Sequence, residues 1–144
     1  MSERRFQIVL IEDAEPDVFL VREALTLSKL KFELQVLGDG EKAVEFIGAL
    51  ESAPTSDRPD LFLLDLNLPR VNGQQVLARM RQSVSCAQIP VLIVTSSDSP
   101  QDKAQSVRLG ATRYFRKPSQ LDDFMKLGPL VRELLENAGP GSAI

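Results

Sequence analysis

Apolar residues in this chain fall into two alternating patterns. Short, nearly unbroken runs mark buried strands: Phe6–Ile11, Phe32–Leu37, the stretch Asp60–Pro69 up to the charge at Asp65, Pro90–Thr95 and Thr112–Phe115. Between them, apolar residues recur at helical spacing. Val18, Val21, Ala24, Leu25 and Leu30 form one stripe; Ala43, Val44, Phe46, Ile47 and Leu50 a second; Val76, Leu77 and Met80 a third. The last stripe runs through Leu121, Phe124, Leu127, Leu130, Val131, Leu134 and Leu135.

Punctuation residues bound these segments. Ala14-Glu15-Pro16-Asp17 opens the first helix, with acids where the helix dipole favours them. Gly38-Asp39-Gly40 closes the second strand, a polar loop spans Glu51–Arg58, and Asn72-Gly73 reads as a turn before the third helix. Ser99 caps the fourth helix with Pro100 at its first position, and Gly110 ends it. Ser119 and Asp122 have capping-box spacing for the last helix, which Gly139-Pro140 stops. Gly128-Pro129 interrupts that helix. Pro129 has no N–H for the Met125 carbonyl, so a kink or a break into two short helices is expected, with Pro129 in the first turn of the second.

Five strands alternating with five helices imply an α/β fold with a parallel sheet covered on both faces. A flavodoxin-like, doubly wound order 2-1-3-4-5 is the common arrangement for such a sheet, rather than a deduction from this chain alone, and it sets strands 1 and 3 side by side at the switch point. Residues 1–5 read as an extension, 6–137 as one domain and 138–144 as a tail. Nothing after the last helix is long enough for a DNA-binding domain.

Composition narrows the chemistry. The 144 residues carry 17 Lys plus Arg against 20 Asp plus Glu, a net charge of -3, so no nucleic-acid binding by bulk charge is expected. The one cysteine, Cys86, excludes an intramolecular disulfide and fits a cytoplasmic location. No signal peptide or membrane-spanning run is apparent. The absence of histidine removes histidine-based zinc sites, triads and general bases. Any reaction must run on carboxylates, hydroxyls, lysine and an oxygen-bound metal.

On the 2-1-3-4-5 sheet, Glu12-Asp13 end strand 1, Asp65 strand 3, Thr95 strand 4 and Lys117 strand 5. Each has an ordinary explanation alone: Asp65 as a loop cap, Thr95 as a β-branched strand end, Tyr114 as a half-buried strand residue, Lys117 as a solvated cation. Gathered at one sheet edge, the carboxylates repel, and one should hold its proton more tightly. A hard cation such as Mg2+ relieves that repulsion. Together with a lysine and a hydroxyl it makes a site for a phosphoryl group.

The combination of Glu12-Asp13, Leu64-Asp65-Leu66-Asn67-Leu68-Pro69, Asn72-Gly73, Thr95-Ser96, Tyr114 and Lys117-Pro118 resembles the receiver domains of two-component response regulators, over Phe6 to Asn137. The resemblance implies that Asp65 accepts a phosphoryl group from a sensor histidine kinase. It implies Mg2+ on Asp13, Asp65 and the Asn67 carbonyl, with Glu12 more peripheral. Thr95 and Lys117 would bind phosphoryl oxygens, and Tyr114 would act as the aromatic switch. Glu12 departs from the commoner Asp-Asp pair. Further likeness is to single-domain regulators paired with phytochrome-type kinases, and the face of strand 5 and the last helix, near Tyr114, Phe115 and Phe124, is a candidate two-fold contact. Two rival readings are a Mg2+-dependent phosphohydrolase with an Asp nucleophile, which expects an acid where Asn67 stands, and a phosphorylation-independent binding module, which would lack the acceptor, the metal acids or the lysine.

Overall fold

The computed structural model describes residues 4–137; the Gly139-Pro140 helix stop and the tail lie outside them. Five parallel strands, β1 (Phe6–Ile11), β2 (Phe32–Leu37), β3 (Leu61–Leu64), β4 (Val91–Thr95) and β5 (Arg113–Arg116), form one sheet in the order β2-β1-β3-β4-β5. The expected order holds. β5 sits one residue later than its apolar pattern suggested, because Thr112 turns its hydroxyl to accept the Val91 N–H instead of entering the strand.

Alternation along the central strands divides the core. Ile8, Leu10, Leu61, Leu63, Leu92 and Val94 face one side, with α1 (Glu15–Leu27) and the C-terminal helices. Val9, Ile11, Phe62, Leu64, Val91 and Ile93 face the other, with α2 (Gly40–Glu51) and α3 (Gly73–Gln82). A side chain of this size contributes about 1.5–3 kcal/mol when fully buried, so β1, β3 and β4 form a stiff platform. The next helix, α4 (Pro100–Arg108), is held differently: its only buried residue is Ser106, whose hydroxyl donates back to the Asp102 carbonyl. It is the most lightly anchored full-length helix among the described residues.

Ser99 caps α4 by accepting the Asp102 N–H, and Gly110 takes the left-handed conformation (φ 103°) just past its end, as expected. Asn72, expected as a turn, is instead the N-cap of α3 and forms a reciprocal capping box with Gln75. The box expected at Ser119 does not form. α5 (Leu121–Phe124) starts one residue later than that box requires, so Gln120 occupies the cap position without a side-chain bond.

The break in the last helix is present. α5 ends at Phe124 and α6 (Leu127–Asn137) begins two residues before Pro129, which lies in its first turn. The Met125 carbonyl, deprived of a donor by Pro129, takes the Gly128 N–H at 3.1 Å. Gly128 has a packing reason as well: a Cβ there would stand 2.0 Å from Ser28 Oγ and 2.4 Å from the Ala24 carbonyl oxygen. The glycine that weakens the helix thus lets α6 close onto the end of α1.

Candidate functional site

Backbone ladders that continue past the strand ends fix the site. The Asp65 N–H donates to the Ile11 carbonyl at 3.1 Å, and the Glu12 N–H to the Leu37 carbonyl at 3.0 Å, so Asp65 and Glu12 leave adjacent strands side by side. The Lys117 N–H donates to the Thr95 carbonyl at 2.7 Å, which starts the lysine side chain from the edge of β5. Ligand oxygens of Glu12, Asp13 and Asp65 lie within 4.8 Å of one another. Glu12 and Asp65 are buried, at 2% and 6% exposure, while Asp13 is open to solvent.

Lys117 crosses this cluster. Its ammonium donates to Glu12 Oε1 at 2.7 Å, to Asp17 Oδ2 at 2.7 Å and to Asp65 Oδ2 at 3.3 Å. Burial lifts the Glu12 carboxyl and the Asp65 charge adds to that; Lys117 pulls the other way, and Glu12 ends pushed up to about 7. Burial works against the Lys117 charge, but hydrogen bonds to Asp17 and Glu12, with the charges of Asp65 and Glu12, overcome it and hold the lysine above its ordinary range. The carboxyl that holds its proton more tightly is therefore Glu12, through burial first and the Asp65 charge second.

The folded chain binds the Glu12 proton more tightly than the unfolded chain, whose glutamate titrates near 4.5. Between about pH 4.5 and 7 the folded state carries more protons, so this group's contribution to stability falls as pH rises through that window. The metal-free stability of wild type relative to Glu12→Gln is expected to drop by about 2–4 kcal/mol between those limits. Denaturant titrations of both proteins at a series of pH values measure it, and a flat difference contradicts the assignment.

The remaining candidate residues lie around this cluster with partners of their own. The Asn67 N–H donates to Asp65 Oδ1 at 3.2 Å, and the Asn67 side chain is exposed. Thr95 is fully buried at the end of β4; its hydroxyl accepts the Ser97 N–H at 3.4 Å and makes no hydrogen bond to Asp65. Tyr114, half-buried, donates its hydroxyl to the Ser97 carbonyl at 3.0 Å, with the Lys103 ammonium 5.8 Å from its ring centre. Cys86 is buried, and burial pushes its thiol up, away from reactivity.

Sequence reasoning missed Asp17, which it placed only as an acid favoured by the helix dipole. The available signal was its position one helical turn after Asp13, at the same sheet edge. It also missed what Gly73 does. A Cβ on Gly73 would lie 2.2 Å from the Asp65 carbonyl oxygen and 2.6 Å from Leu66 Cα, so α3 packs directly against the backbone carrying Asp65.

Comparison with known proteins agrees with this geometry. A family model described as the response regulator receiver domain matches residues 8–127. Response regulator Rcp1 of Synechocystis sp. is 38% identical over 120 residues, which is 83% of this chain and 82% of that protein. Two solved structures superpose along most of the chain. The phosphorylated cyanobacterial phytochrome response regulator RcpA does so with a TM-score of 0.82 at 29% identity, covering 94% of this chain and 97% of its own. The Mn2+-bound form of response regulator Rcp1 gives 0.78 at 36% identity, covering 89% and 92%.

Proposed function

Because the chain belongs to the response regulator receiver domain family, we propose that it is a phosphoacceptor that takes a phosphoryl group from a sensor histidine kinase onto Asp65. One observation carries this reading: Asp65 is a buried carboxylate with acids on one side and a lysine on the other, at the end of a central strand.

The kinase presents a phosphohistidine, which this chain, having no histidine, does not itself supply. An Asp65 carboxylate oxygen attacks phosphorus. The new O–P bond forms as the N–P bond breaks, and the imidazole nitrogen keeps the electron pair and takes up a proton. Lys117, already directed at Asp65, donates to a phosphoryl oxygen, and the Thr95 hydroxyl turns to donate to another. Water later hydrolyses the acyl phosphate, which makes the chain a signalling acceptor with slow self-dephosphorylation rather than an enzyme acting on a small substrate. Glu12, Asp17 and Asp65 share the Lys117 ammonium and Asp13 lies beside Glu12 and Asp65, so the donor set is all oxygen with more carboxylates than the lysine neutralises, which fits a divalent cation. Asp13 and Asp65, with Glu12 and the Asn67 carbonyl, would hold Mg2+, which when bound supplies charge neutralisation at the phosphoryl oxygens. Asn67 stands where a phosphohydrolase of this kind would need its acid, and the full acceptor set argues against a phosphorylation-independent module.

The signal leaves through a hydrogen-bonded chain. Thr95 Oγ1 accepts from Ser97, and the Ser97 carbonyl accepts from Tyr114. Movement of Thr95 toward the phosphoryl group therefore shifts the acceptor that holds Tyr114, beside the lightly anchored α4. The surface of α4, β5 and the C-terminal helices changes shape and is read by another protein in the cytoplasm.

The likeness to the cyanobacterial phytochrome response regulator RcpA points to a phytochrome-type kinase as the donor. Phosphotransfer from autophosphorylated kinases tests it: label should move fastest from a phytochrome-type kinase, and equal rates from unrelated kinases would overturn that pairing. A two-fold contact between copies through β5 and the last helices is a further part of the reading. Phe115 is half-buried and packs edge-to-face on the buried Phe124, with ring centres 6.0 Å apart, so any such contact must rest on the partly exposed Phe115 and its polar surroundings. Sedimentation should show dimers at tens of micromolar, about the range where weak association appears; a monomer with and without phosphorylation would contradict it.

A further inference from the structure

The tightest contacts of Lys117 are not with the residue it is meant to serve. Its ammonium has three N–H donors. Two are committed at 2.7 Å, to Glu12 Oε1 and Asp17 Oδ2, while the approach to Asp65 Oδ2 is longer, at 3.3 Å. Charge-assisted hydrogen bonds are normally about 2.7–2.9 Å, so the Asp65 contact is the slack one. The Lys117 side chain is 9% exposed and Glu12 1%, so neither can turn to water for compensation; Asp17, at 29%, is the wet end of the network.

Asp17 comes from outside the strand-end cluster. It lies in the first turn of α1 behind Pro16, and its N–H donates to the Ala14 carbonyl at 3.0 Å, which fixes the turn relative to the end of β1. From there its carboxylate holds the ammonium from the side of α1, and Glu12 holds it from the floor of the site. Without Asp17, the ammonium is left with Glu12, already bonded at 2.7 Å, and Asp65, whose 3.3 Å contact is the one with room to shorten.

We infer that Asp17 is a positioning residue that holds Lys117 back from Asp65 and so keeps the Asp65 carboxylate available to the metal ion and to phosphorus. This rests on the phosphoacceptor reading of Asp65 and adds a residue to it. An ammonium drawn fully onto Asp65 competes with a divalent cation for the same oxygens and reduces the carboxylate's nucleophilicity. Lys117 therefore has two roles: it must be close enough to meet a phosphoryl oxygen once one arrives, and far enough away beforehand. Asp17 sets that distance.

The test is a double-mutant cycle read by Mg2+ affinity, from calorimetry, and by labelling rate with acetyl phosphate, from intact mass. Asp17→Asn keeps the shape and removes the charge. It should weaken Mg2+ binding by about three- to tenfold, the scale of one partly buried ion pair, and slow labelling in proportion; Asp17→Glu should restore both. In a Lys117→Ala background, Asp17→Asn should change Mg2+ affinity by less than about twofold, because there is no lysine left to restrain. An equal loss with and without Lys117 would show Asp17 to be only one more acid near the cation, and the inference would fail. It would fail too if Asp17→Asn lowered the melting temperature but left Mg2+ affinity at the wild-type value. Should Lys117→Ala not fold, the same cycle in Lys117→Met, which keeps the side-chain length without the charge, decides by the same criterion. A wild-type chain that takes no phosphoryl group would overturn the acceptor reading, while the Mg2+ cycle would still decide the role of Asp17.

Discussion

Asp65→Asn is expected to abolish covalent phosphoryl capture, lower Mg2+ affinity by at least about tenfold and raise the stability of the metal-free fold. An amide oxygen is no nucleophile toward phosphorus, so the loss of labelling should be complete. The gain in stability follows from the charges. Asp65 contributes to lifting the Glu12 carboxyl, and it receives only the 3.3 Å contact from Lys117, whose 2.7 Å bonds go elsewhere. Removing one carboxylate charge from beside the buried Glu12 relieves repulsion worth about 1 kcal/mol, while the asparagine still accepts the Asn67 N–H. Chemical denaturation without metal should show a higher midpoint at an unchanged slope, and addition of Mg2+ should shrink the difference. A variant less stable than wild type in the absence of metal would contradict this balance of charges.

Gly73→Ala should be the most damaging single methyl group at the site. Its Cβ would meet the Asp65 carbonyl oxygen at 2.2 Å, Leu66 Cα at 2.6 Å and the Asp65 carbonyl carbon at 2.9 Å. All three are backbone atoms of the acceptor strand, so no rotamer change can relieve the clash. The Gly73 N–H also donates to the Leu66 carbonyl at 2.9 Å, which ties the start of α3 to that segment. Either α3 retreats or Asp65 moves. The expected cost is about 3 kcal/mol, together with a labelling rate well below wild type in the fraction that remains folded. Gly48→Ala is the control: it lies inside α2, where a Cβ meets nothing within 4 Å. Helix propensity alone should make that variant more stable by up to about 1 kcal/mol. If the two substitutions behaved alike, the close packing of α3 on the acceptor would be wrong.

The parts of this molecule that were legible in the sequence share a cause. Leu61–Leu64, Val91–Val94 and Ile8–Ile11 are buried on both faces, so their apolar runs are continuous and end abruptly at charge. That abruptness placed Asp65 and Glu12 correctly. Pro129 was legible because a missing N–H has one consequence in a helix. Local signals with several outlets were less decisive. Asn72-Gly73 suits a turn or an N-cap, and the choice is made by α3 approaching the β3 end, a tertiary fact. Ser119 had the right spacing to Asp122, but the helix begins at Leu121, so Gln120 takes the cap. The Asp17–Lys117 bond joins residues 100 apart, and helix periodicity says nothing about which cation an exposed-looking acid will meet.

The central claim is that Asp65 takes a phosphoryl group in a metal-dependent step. The most direct measurement is the intact mass of the wild-type chain after exposure to acetyl phosphate, with Mg2+ and with a chelator, followed by borohydride reduction of the acyl phosphate and peptide mapping. The expected result is one added phosphoryl group only in the presence of Mg2+, with the reduced residue at position 65. Labelling that is indifferent to Mg2+, or that maps to a residue other than Asp65, would contradict the account.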